Sequence, residues 1–276
     1  MDGTSDQADR LVKTSPASPI GIVDSGWGGL TVWKSITKLL PHESTVYVGD
    51  HRFVPYGERS VPWIRKRTVR LIRFLKEKGV KMIVIACNTA TIAGIAEYRK
   101  QFPDLPIIGV VPVVKTAAEK TKTGTFAILS TPRTSRSAYQ KNLILRFASR
   151  CQVTVLESAQ LVPYIEKGET GSPAIRKELK RLLGRISVKT DVIVLGCTHY
   201  PFVRAAIRDI VRGRVRLLDS GGAVARHVAR ILQANRKRER KGKPAHTFYT
   251  TAADNKPVRA AKKLVGSRQR ISYARI

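Results

Sequence analysis

The segment VKMIVIACNTA at residues 80–90 runs from an apolar stretch into short polar residues, and TDVIVLGCTHYP at residues 190–201 repeats this plan. In each segment a β-branched run ends next to a cysteine, Cys87 or Cys197. A short continuous apolar run is typical of a buried parallel strand, and the polar residues after it are typical of a helix start. The two copies therefore predict strand-to-helix junctions at both cysteines.

Similar apolar runs recur along the chain and alternate with amphipathic helical patterns. Predicted strands cover residues 20–23, 45–48, 80–86, 107–111, 125–129, 153–156, 191–195 and 215–218. Pro62 and Gly79 bound one predicted helix, and Ser172 and Gly184 bound another. This alternation favours parallel sheets covered by helices.

The chain also repeats itself at long range. Val-Pro-Tyr occurs at 54–56 and again at 162–164, at nearly the offset that separates Cys87 from Cys197. Landmarks that keep one order and one offset indicate a duplicated βα unit. We therefore predict an α/β fold of two pseudo-symmetric lobes, each a mostly parallel sheet flanked by helices, with the active site in the cleft between them.

Charge and composition restrict the classes of protein that fit. The 51 Lys and Arg against 20 Asp and Glu give a net charge of +31, but only residues 236–243 form a dense basic run. Because the other basic residues are spread along the chain, a solvated basic surface is the favoured interpretation, and its field is expected to attract anionic substrates. Salt-sensitive contact with nucleic acid is expected as well. No apolar run approaches the roughly 18 residues of a membrane helix. The polar residues 1–19 read as a disordered leader, and three cysteines suit a reducing, cytoplasmic compartment.

The positions of Cys87 and Cys197 favour chemistry. Parallel α/β folds bind ligands at the carboxyl ends of strands, and a helix start lowers the pKa of a thiol, so either cysteine could serve as base or nucleophile. A lone cysteine after an apolar strand is more often a small core residue, but two at equivalent places reverse that expectation. Cys151 has no such counterpart and is interpreted as structural.

Hydroxyl and glycine residues follow two other predicted strands. Asp24 and Ser25 open a glycine-rich turn with Gly28 and Gly29, and its counterpart carries Ser130, Thr131 and Thr134. The turn lacks the lysine of a phosphate loop, so its N–H groups are predicted to suit a small anion such as a carboxylate.

The motifs resemble, in order, those of the glutamate racemases of the aspartate/glutamate racemase superfamily. They are DSGWGGL at 24–30, GD at 49–50 leading to PYG at 55–57, ACNTA at 86–90 and GCTHYP at 196–201. The resemblance runs from about residue 20 to 230, and LDSG at 218–221 is similar to the closing strand, after which the chain returns to the first lobe. It implies a first lobe of 20–113 plus 220–276 and a second lobe of 114–219.

The resemblance implies a cofactor-independent proton transfer between L- and D-glutamate, which supplies D-glutamate for peptidoglycan. One thiol removes the α-proton while the other donates a proton to the opposite face. By analogy, Asp24 assists Cys87, while His199 and Glu166 assist Cys197. Residues implied to hold the amino and α-carboxylate groups are Ser25, Asn88, Thr89, Thr131, Thr134 and Thr198, and those implied around the side-chain carboxylate are Tyr56 and Gly57.

Each assisting residue has a simpler interpretation. His199 fits a core histidine, Asp24 a helix cap, Glu166 a surface residue and Tyr56 a packing residue. Before the second Val-Pro-Tyr, many members of the family have a small residue followed by Cys-Pro, whereas this chain has Ser158, Ala159 and Gln160. The resemblance therefore does not predict the structure of the site wall formed by this stretch.

Other functions and partners stay open. An aspartate racemase would use the same chemistry, and a basic nucleic-acid-binding protein could share the fold. No lysine in a Schiff-base context and no metal-ligand spacing is found, so neither pyridoxal phosphate nor a metal is expected. A homodimer is left open.

Overall fold

The computed structural model describes residues 14–266 and 270–276. Most of the predicted leader, residues 1–13, lies outside this range. None of the helices in the described part is both long and apolar enough to cross a bilayer.

The described chain alternates strands and helices. The strands are β1 Ile20–Asp24, β2 Thr45–Gly49, β3 Met82–Ile85, β4 Ile107–Gly109, β5 Thr125–Ser130, β6 Gln152–Glu157, β7 Val192–Leu195, β8 Arg216–Leu218, β9 His246–Thr250 and β10 Ile271–Tyr273. The helices are α1 Leu30–Leu39, α2 Val61–Glu77, α3 Asn88–Gln101, α4 Val114–Lys120, α5 Pro132–Ser135, α6 Ala138–Phe147, α7 Leu161–Glu166, α8 Pro173–Leu183, α9 Arg204–Ile210, α10 Gly221–Ala234 and α11 Lys256–Val265. Short 3₁₀ turns occupy Tyr56–Glu58 and Tyr200–Val203.

The strands form two sheets with parallel pairings. The first sheet has the order β10-β9-β2-β1-β3-β4 and the second the order β6-β5-β7-β8. The block β2-β1-β3-β4 of the first sheet thus has the same order as the whole second sheet. The predicted fold class, two parallel sheets flanked by helices with internal repetition, is confirmed. The lobe boundaries near residues 113 and 219 stay a proposal.

Helices cover both faces of each sheet. On the first sheet, apolar residues on one face pack with α1 and α10, and those on the other pack with α2 and α3. On the second sheet, Leu129 and Leu195 face α7, α8 and α9, while Ile128 and Val194 face α4 and α6. A parallel sheet covered on both faces needs continuous apolar strands, which explains why these runs stand out in the sequence.

Helix boundaries follow from local signals. Ser60 accepts a hydrogen bond from Trp63 N at 3.4 Å at the start of α2, and Gly79 follows its end with a positive φ of 69°. Ser172 accepts from Ile175 N at 3.4 Å at the start of α8, and Gly184 ends that helix. Both helices match their predicted positions closely.

Two strands were not predicted. β9 and β10 alternate polar and apolar residues, and in β9 only Phe248 and Thr250 are buried. They extend the edge of the first sheet beside β2. Strands that are half covered by other elements lack the continuous apolar run on which the prediction relied.

A buried ion pair fixes the first sheet at the start of β3. Lys81 Nζ contacts Glu43 Oε2, and both side chains are almost fully buried. Glu43 Oε1 also accepts from Glu239 N at 2.9 Å, in the loop that leads to β9. The pair therefore links β3 with the loop before β2 and the loop before β9.

We predict that Lys81→Met lowers the free energy of unfolding by about 3–5 kcal/mol, because it leaves the buried carboxylate of Glu43 without an opposite charge. The double variant Lys81→Met/Glu43→Leu should recover most of that loss. Urea unfolding of both proteins, with the exposed Lys38→Met as the matched control, measures the effect. A Lys81→Met cost no larger than that of the control would contradict this account.

Candidate active site

The two cysteines occupy equivalent places in the two sheets. Cys87 follows β3 as the N-cap of α3, and Cys197 lies two residues beyond the end of β7. Both are buried, and both line one closed pocket between the strand ends. Because β3 and β7 hold equivalent positions in their sheets, the duplication brings one thiol from each half to the same pocket.

The pocket is small and lined mostly by residues that the sequence predicted for the site. Its cavity is about 20 Å³, which is room for a water molecule or so. The lining residues are Ser25, Pro55, Tyr56, Gly57, Cys87, Asn88, Thr89, Thr131, Val162, Cys197, Thr198 and His199. An amino acid can enter only if the cleft widens.

Burial dominates the chemistry of Cys87. The Ala90 N–H donates to Cys87 Sγ at 3.5 Å, and the thiol is 3.7 Å from Ser25 Oγ. Nevertheless burial, followed by the charge of Asp24, raises the pKa of the Cys87 thiol well above its ordinary value. The prediction that the helix start lowers this pKa is wrong for the closed pocket, since desolvation outweighs the N–H contact. Cys87 is a neutral thiol here.

Asp24 both caps the turn and offers a carboxyl oxygen. Its Oδ2 accepts from Gly29 N at 2.8 Å and from Gly26 N at 3.3 Å. Its buried Oδ1 has no hydrogen-bond partner among the described residues. Burial raises the pKa of Asp24 to about 6, although His199 and the Gly29 N–H act in the opposite direction. Asp24 can therefore change protonation state near neutral pH.

His199 connects Cys197 with Glu166. Its Nδ1 lies 3.6 Å from Cys197 Sγ, and its Nε2 contacts Glu166 Oε1. Burial alone would lower the pKa of His199, but the hydrogen bonds and charges of Cys197 and Glu166 raise it well above its ordinary value. His199 therefore holds its proton and can donate from both nitrogens.

Glu166 is held as a carboxylate. Its side chain is 9% exposed, so the interpretation as a surface residue is wrong. Burial alone would raise the pKa of Glu166, but His199, His51 and the Trp27 N–H together lower it. Trp27 N donates to Glu166 Oε1 at 2.7 Å.

Glycine residues allow the turn after β1 to lie directly against the His199 and Glu166 side chains. A Cβ at Gly26 would lie 2.2 Å from Glu166 Oε1, and one at Gly28 would lie 2.4 Å from His199 Nδ1. The N–H groups that we predicted for a small anion are taken by the protein's own carboxylates, Asp24 and Glu166. The turn therefore binds two carboxylates of the protein itself in place of an external anion.

Polar side chains from both halves meet on the pocket wall. The hydroxyl of Thr89 lies 3.2 Å from that of Thr131, which donates to Thr134 at 3.1 Å. Both amide atoms of Asn88 are buried without a hydrogen-bond partner in the described part of the chain. Thr198 accepts from Thr31 Oγ1 through its carbonyl at 3.0 Å. Asn88 thus retains its full hydrogen-bonding capacity for a ligand.

Tyr56 lines the pocket, and its hydroxyl group is held by Asp50. It donates to Asp50 Oδ2 at 2.5 Å, and Arg67 holds both Asp50 oxygens at 2.6 and 2.8 Å. Burial, with the charge of Asp50, raises the pKa of Tyr56 well above its ordinary value. The anchored ring places Gly57 against Thr131, since a Cβ at Gly57 would lie 3.4 Å from Thr131 Cβ.

The site wall around Ser158, which the sequence did not predict, is held by hydrogen bonds within the protein. Ser158 is buried, donates to Glu178 Oε1 at 2.7 Å and accepts from the backbone N–H groups of Gln160 and Leu161. It therefore holds the backbone at the start of α7, and Val162 from that helix lines the pocket instead. Cys151 lies elsewhere, half-buried against the apolar cluster under α4.

Sequence reasoning missed His51, Trp27 and Val162. His51 Nε2 lies 3.7 Å from Glu166 Oε2, and its ring centroid is 4.2 Å from that of Trp27. The available signal was the position of His51 directly after the Gly-Asp that ends β2. No group of three or more His, Cys, Asp or Glu that could hold a metal occurs among the described residues.

A duplicated parallel α/β fold that brings two thiols and an imidazole into one pocket, with the carboxyl groups of Asp24 and Glu166 beside them, has the arrangement of a racemase of the isomerase class. The family model described as Asp/Glu/Hydantoin racemase matches residues 20–228. The chain belongs to this family, as its motifs predicted.

Several known glutamate racemases are similar to the chain. That of Pseudomonas entomophila is 42% identical over 239 residues, covering 86% of this chain and 90% of the relative. That of Pseudomonas aeruginosa is 40% identical over 252 residues, covering 91% and 95%. The solved structure of a Bacillus anthracis glutamate racemase isoform has a TM-score of 0.84 and 29% identity, covering 93% of this chain and 97% of that chain. The Escherichia coli glutamate racemase, in complex with L-glutamate and the activator UDP-MurNAc-Ala, has a TM-score of 0.81 and 32% identity, covering 93% and 98%.

The pKa of Asp24 predicts a pH-dependent stability. Because it lies above the ordinary 3.8, ionisation disfavours the folded state, so stability present at low pH is lost as pH rises from about 4 to about 6. Between pH 4 and 7 the free energy of unfolding should fall by up to about 3 kcal/mol relative to Asp24→Asn. Urea unfolding of both proteins across this range measures the difference, and a difference that does not change with pH would contradict the assignment.

Proposed function

We propose that the protein is a glutamate racemase that interconverts L- and D-glutamate by proton transfer through Cys87 and Cys197. The observation that supports this most directly is the pair of buried thiols, one from each half of a duplicated fold, lining a single pocket. A single base returns a proton to the face from which it came. Inversion at a carbon atom therefore requires a base and an acid on opposite faces, and the duplication supplies the two groups.

The reaction balances with these two groups alone. One cysteine as thiolate takes the α-proton and becomes a thiol, and the electron pair stays on the α-carbon and its carboxylate. The other cysteine as thiol then donates its proton to the opposite face and becomes the thiolate. In the reverse direction the roles exchange, so both halves need a thiol that can ionise with substrate bound.

The assisting residues differ between the two halves. Asp24, with its unpaired Oδ1 and a pKa of about 6, is proposed to accept or return a proton on the Cys87 side. On the Cys197 side, the N–H of His199 stabilises negative charge on the sulfur, and Glu166 holds the imidazole in place. Each thiol therefore has a titratable neighbour of its own.

Substrate binding is proposed for the polar groups of the wall. Asn88, with Ser25, Thr89, Thr131, Thr134 and Thr198, suits the amino and α-carboxylate groups, because amide and hydroxyl groups donate and accept. The backbone near Tyr56 and Gly57 suits the side-chain carboxylate. An aspartate racemase would use the same machinery, so the length of the substrate is the property to test.

Several broader expectations remain proposals. D-Glutamate is proposed to serve peptidoglycan synthesis in the cytoplasm. The lobes are proposed to divide near residues 113 and 219. The basic surface is proposed to make loose, salt-sensitive contact with nucleic acid. The mostly exposed basic run at 236–243 supports the last of these. A homodimer remains open.

A wider basic cavity adjoins the pocket at Gly57. It measures about 670 Å³, and Arg65, Arg133 and Arg136 line it. Arg65 pairs with Glu97 and Arg136 with Glu157, whereas Arg133 Nε is buried without a hydrogen-bond partner among the described residues. We propose that this vestibule admits an anionic substrate.

We predict that Cys87→Ala and Cys197→Ala each lower the racemisation of glutamate by about 10²-fold or more, because each removes the acid or base of one face. The matched control is Cys151→Ala, which should keep full activity. Circular dichroism follows the loss of L-glutamate, and NMR in D₂O follows deuterium at the α-carbon without added cofactor. Full activity in either variant would remove that cysteine from the mechanism, and turnover of aspartate but not glutamate would favour the alternative.

We predict that Arg133→Gln raises KM for glutamate about threefold to tenfold and leaves kcat nearly unchanged, because the vestibule loses a positive charge that attracts the substrate. The dependence of kcat/KM on salt should weaken as well. Arg226→Gln, with the same charge change on exposed α10, is the control. Equal effects of the two variants would show that net charge, and not the vestibule, matters.

A further inference from the structure

His51 is a buried histidine that the mechanism above does not use. It follows β2, and its side chain is 3% exposed. Its Nδ1 lies 2.9 Å from Thr250 Oγ1, and its Nε2 lies 3.7 Å from Glu166 Oε2. The ring thus lies between the edge of the first sheet and the carboxylate that holds His199.

Packing fixes the His51 ring in this position. The Trp27 ring lies on it at a centroid distance of 4.2 Å, and a Cβ at Gly49 would lie 2.3 Å from His51 Cε1. Only glycine at position 49 therefore leaves room for the ring. A side chain held this closely can direct a nitrogen at a chosen atom.

Either tautomer of His51 is compatible with the hydroxyl of Thr250, which can donate to Nδ1 or accept from it. Thr250 Oγ1 accepts from Ala252 N at 3.2 Å, which leaves its hydrogen free to donate to His51 Nδ1. Burial lowers the pKa of His51 despite the opposing charges of Glu166 and Asp50, so the ring is neutral. In the tautomer that has Thr250 as the donor, the single proton is on Nε2, facing Glu166 Oε2.

Glu166 needs a contact on that oxygen. Its Oε1 receives both Trp27 N and His199 Nε2, whereas Oε2 meets only His51 among the contacts of the described residues. The separation of 3.7 Å exceeds hydrogen-bond length by about 0.5 Å, which a small rotation of the carboxylate removes. Two anchored oxygens fix the plane of a carboxylate, whereas one leaves it free to rotate.

We propose that His51 is a positioning residue that donates from Nε2 to Glu166 Oε2 and so keeps Glu166 Oε1 aligned with His199 beside Cys197. The proposal rests on the proposed racemase function and adds a residue to it. The other titratable groups that face His51 are Asp50 and His199. Asp50 is held by Arg67, Tyr56 and Thr251.

The test compares His51→Phe with His51→Gln in glutamate racemisation. His51→Phe keeps a ring against Trp27 without nitrogen atoms, and should lower kcat about tenfold with little change in KM. Below the titration of Asp24 near pH 6, which both proteins share, kcat should fall further at a given pH than in the wild type, because the Glu166 carboxylate loses a donor. His51→Gln places an amide N–H near the Nε2 position and should restore most of kcat.

The matched control is His246→Phe. His246 also has a threonine hydroxyl at 3.0 Å from Nδ1 and a tryptophan ring beside it, but His51 faces Glu166 whereas these contacts of His246 lie away from that carboxylate. His246→Phe should leave kcat and the pH profile unchanged. Thermal unfolding checks that each variant folds, and if His51→Phe does not, His51→Asn, whose amide cannot reach the Nε2 position, is the loss variant to compare with His51→Gln.

The two hypotheses fail in different ways. A wild-type protein that does not racemise glutamate overturns the proposed function. An active wild type combined with a normal kcat and pH profile in His51→Phe overturns the role of His51. A His51→Gln variant no better than the loss variant also overturns that role, because the donated N–H would then be irrelevant.

Discussion

The site depends on charged side chains that are buried away from bulk water. Asp24, Asp50, Glu166 and His199 are all shielded from solvent, so each must find hydrogen bonds or an opposite charge inside the protein. The chain meets this need with backbone N–H groups of the glycine turn, with Arg67 and with the two buried histidines. Glycines at 26 and 28 are required because any side chain there would displace the carboxylate or the imidazole.

The two halves share the same backbone arrangement, but the polar residues beside their cysteines differ. Equivalent strand ends carry Cys87 and Cys197, yet the first thiol has a carboxyl group as neighbour and the second an imidazole that a carboxylate holds. Glu166 lies on α7 of the second half and is bound by Trp27 from the turn of the first. The closed pocket therefore depends on contacts that cross between the halves, and neither half contains a complete set of partners.

The features that could be predicted from the sequence are those that a short stretch of residues determines. The strands before Cys87 and Cys197, the capped helix after Ser172 and the family motifs are all visible as short, continuous signals. β9 and β10 were missed because strands at a sheet edge need little apolar character. The pKa of Cys87 was predicted in the wrong direction because the sequence shows a helix start but not the depth of burial. His51 was missed for a similar reason, since its partner Glu166 is remote in sequence and only packing joins them.

The late position of β9 in the chain affects the order in which the molecule can be assembled. The four strands of the second sheet are contiguous in sequence, whereas the first sheet receives β9 and β10 only from residues 246–273. Thr250 and Thr251, which support His51 and Asp50, arrive with this segment. During synthesis from the N-terminus, all four strands of the second sheet are therefore made before Thr250 and Thr251. The supports of the active site are thus among the last parts of the molecule to become available.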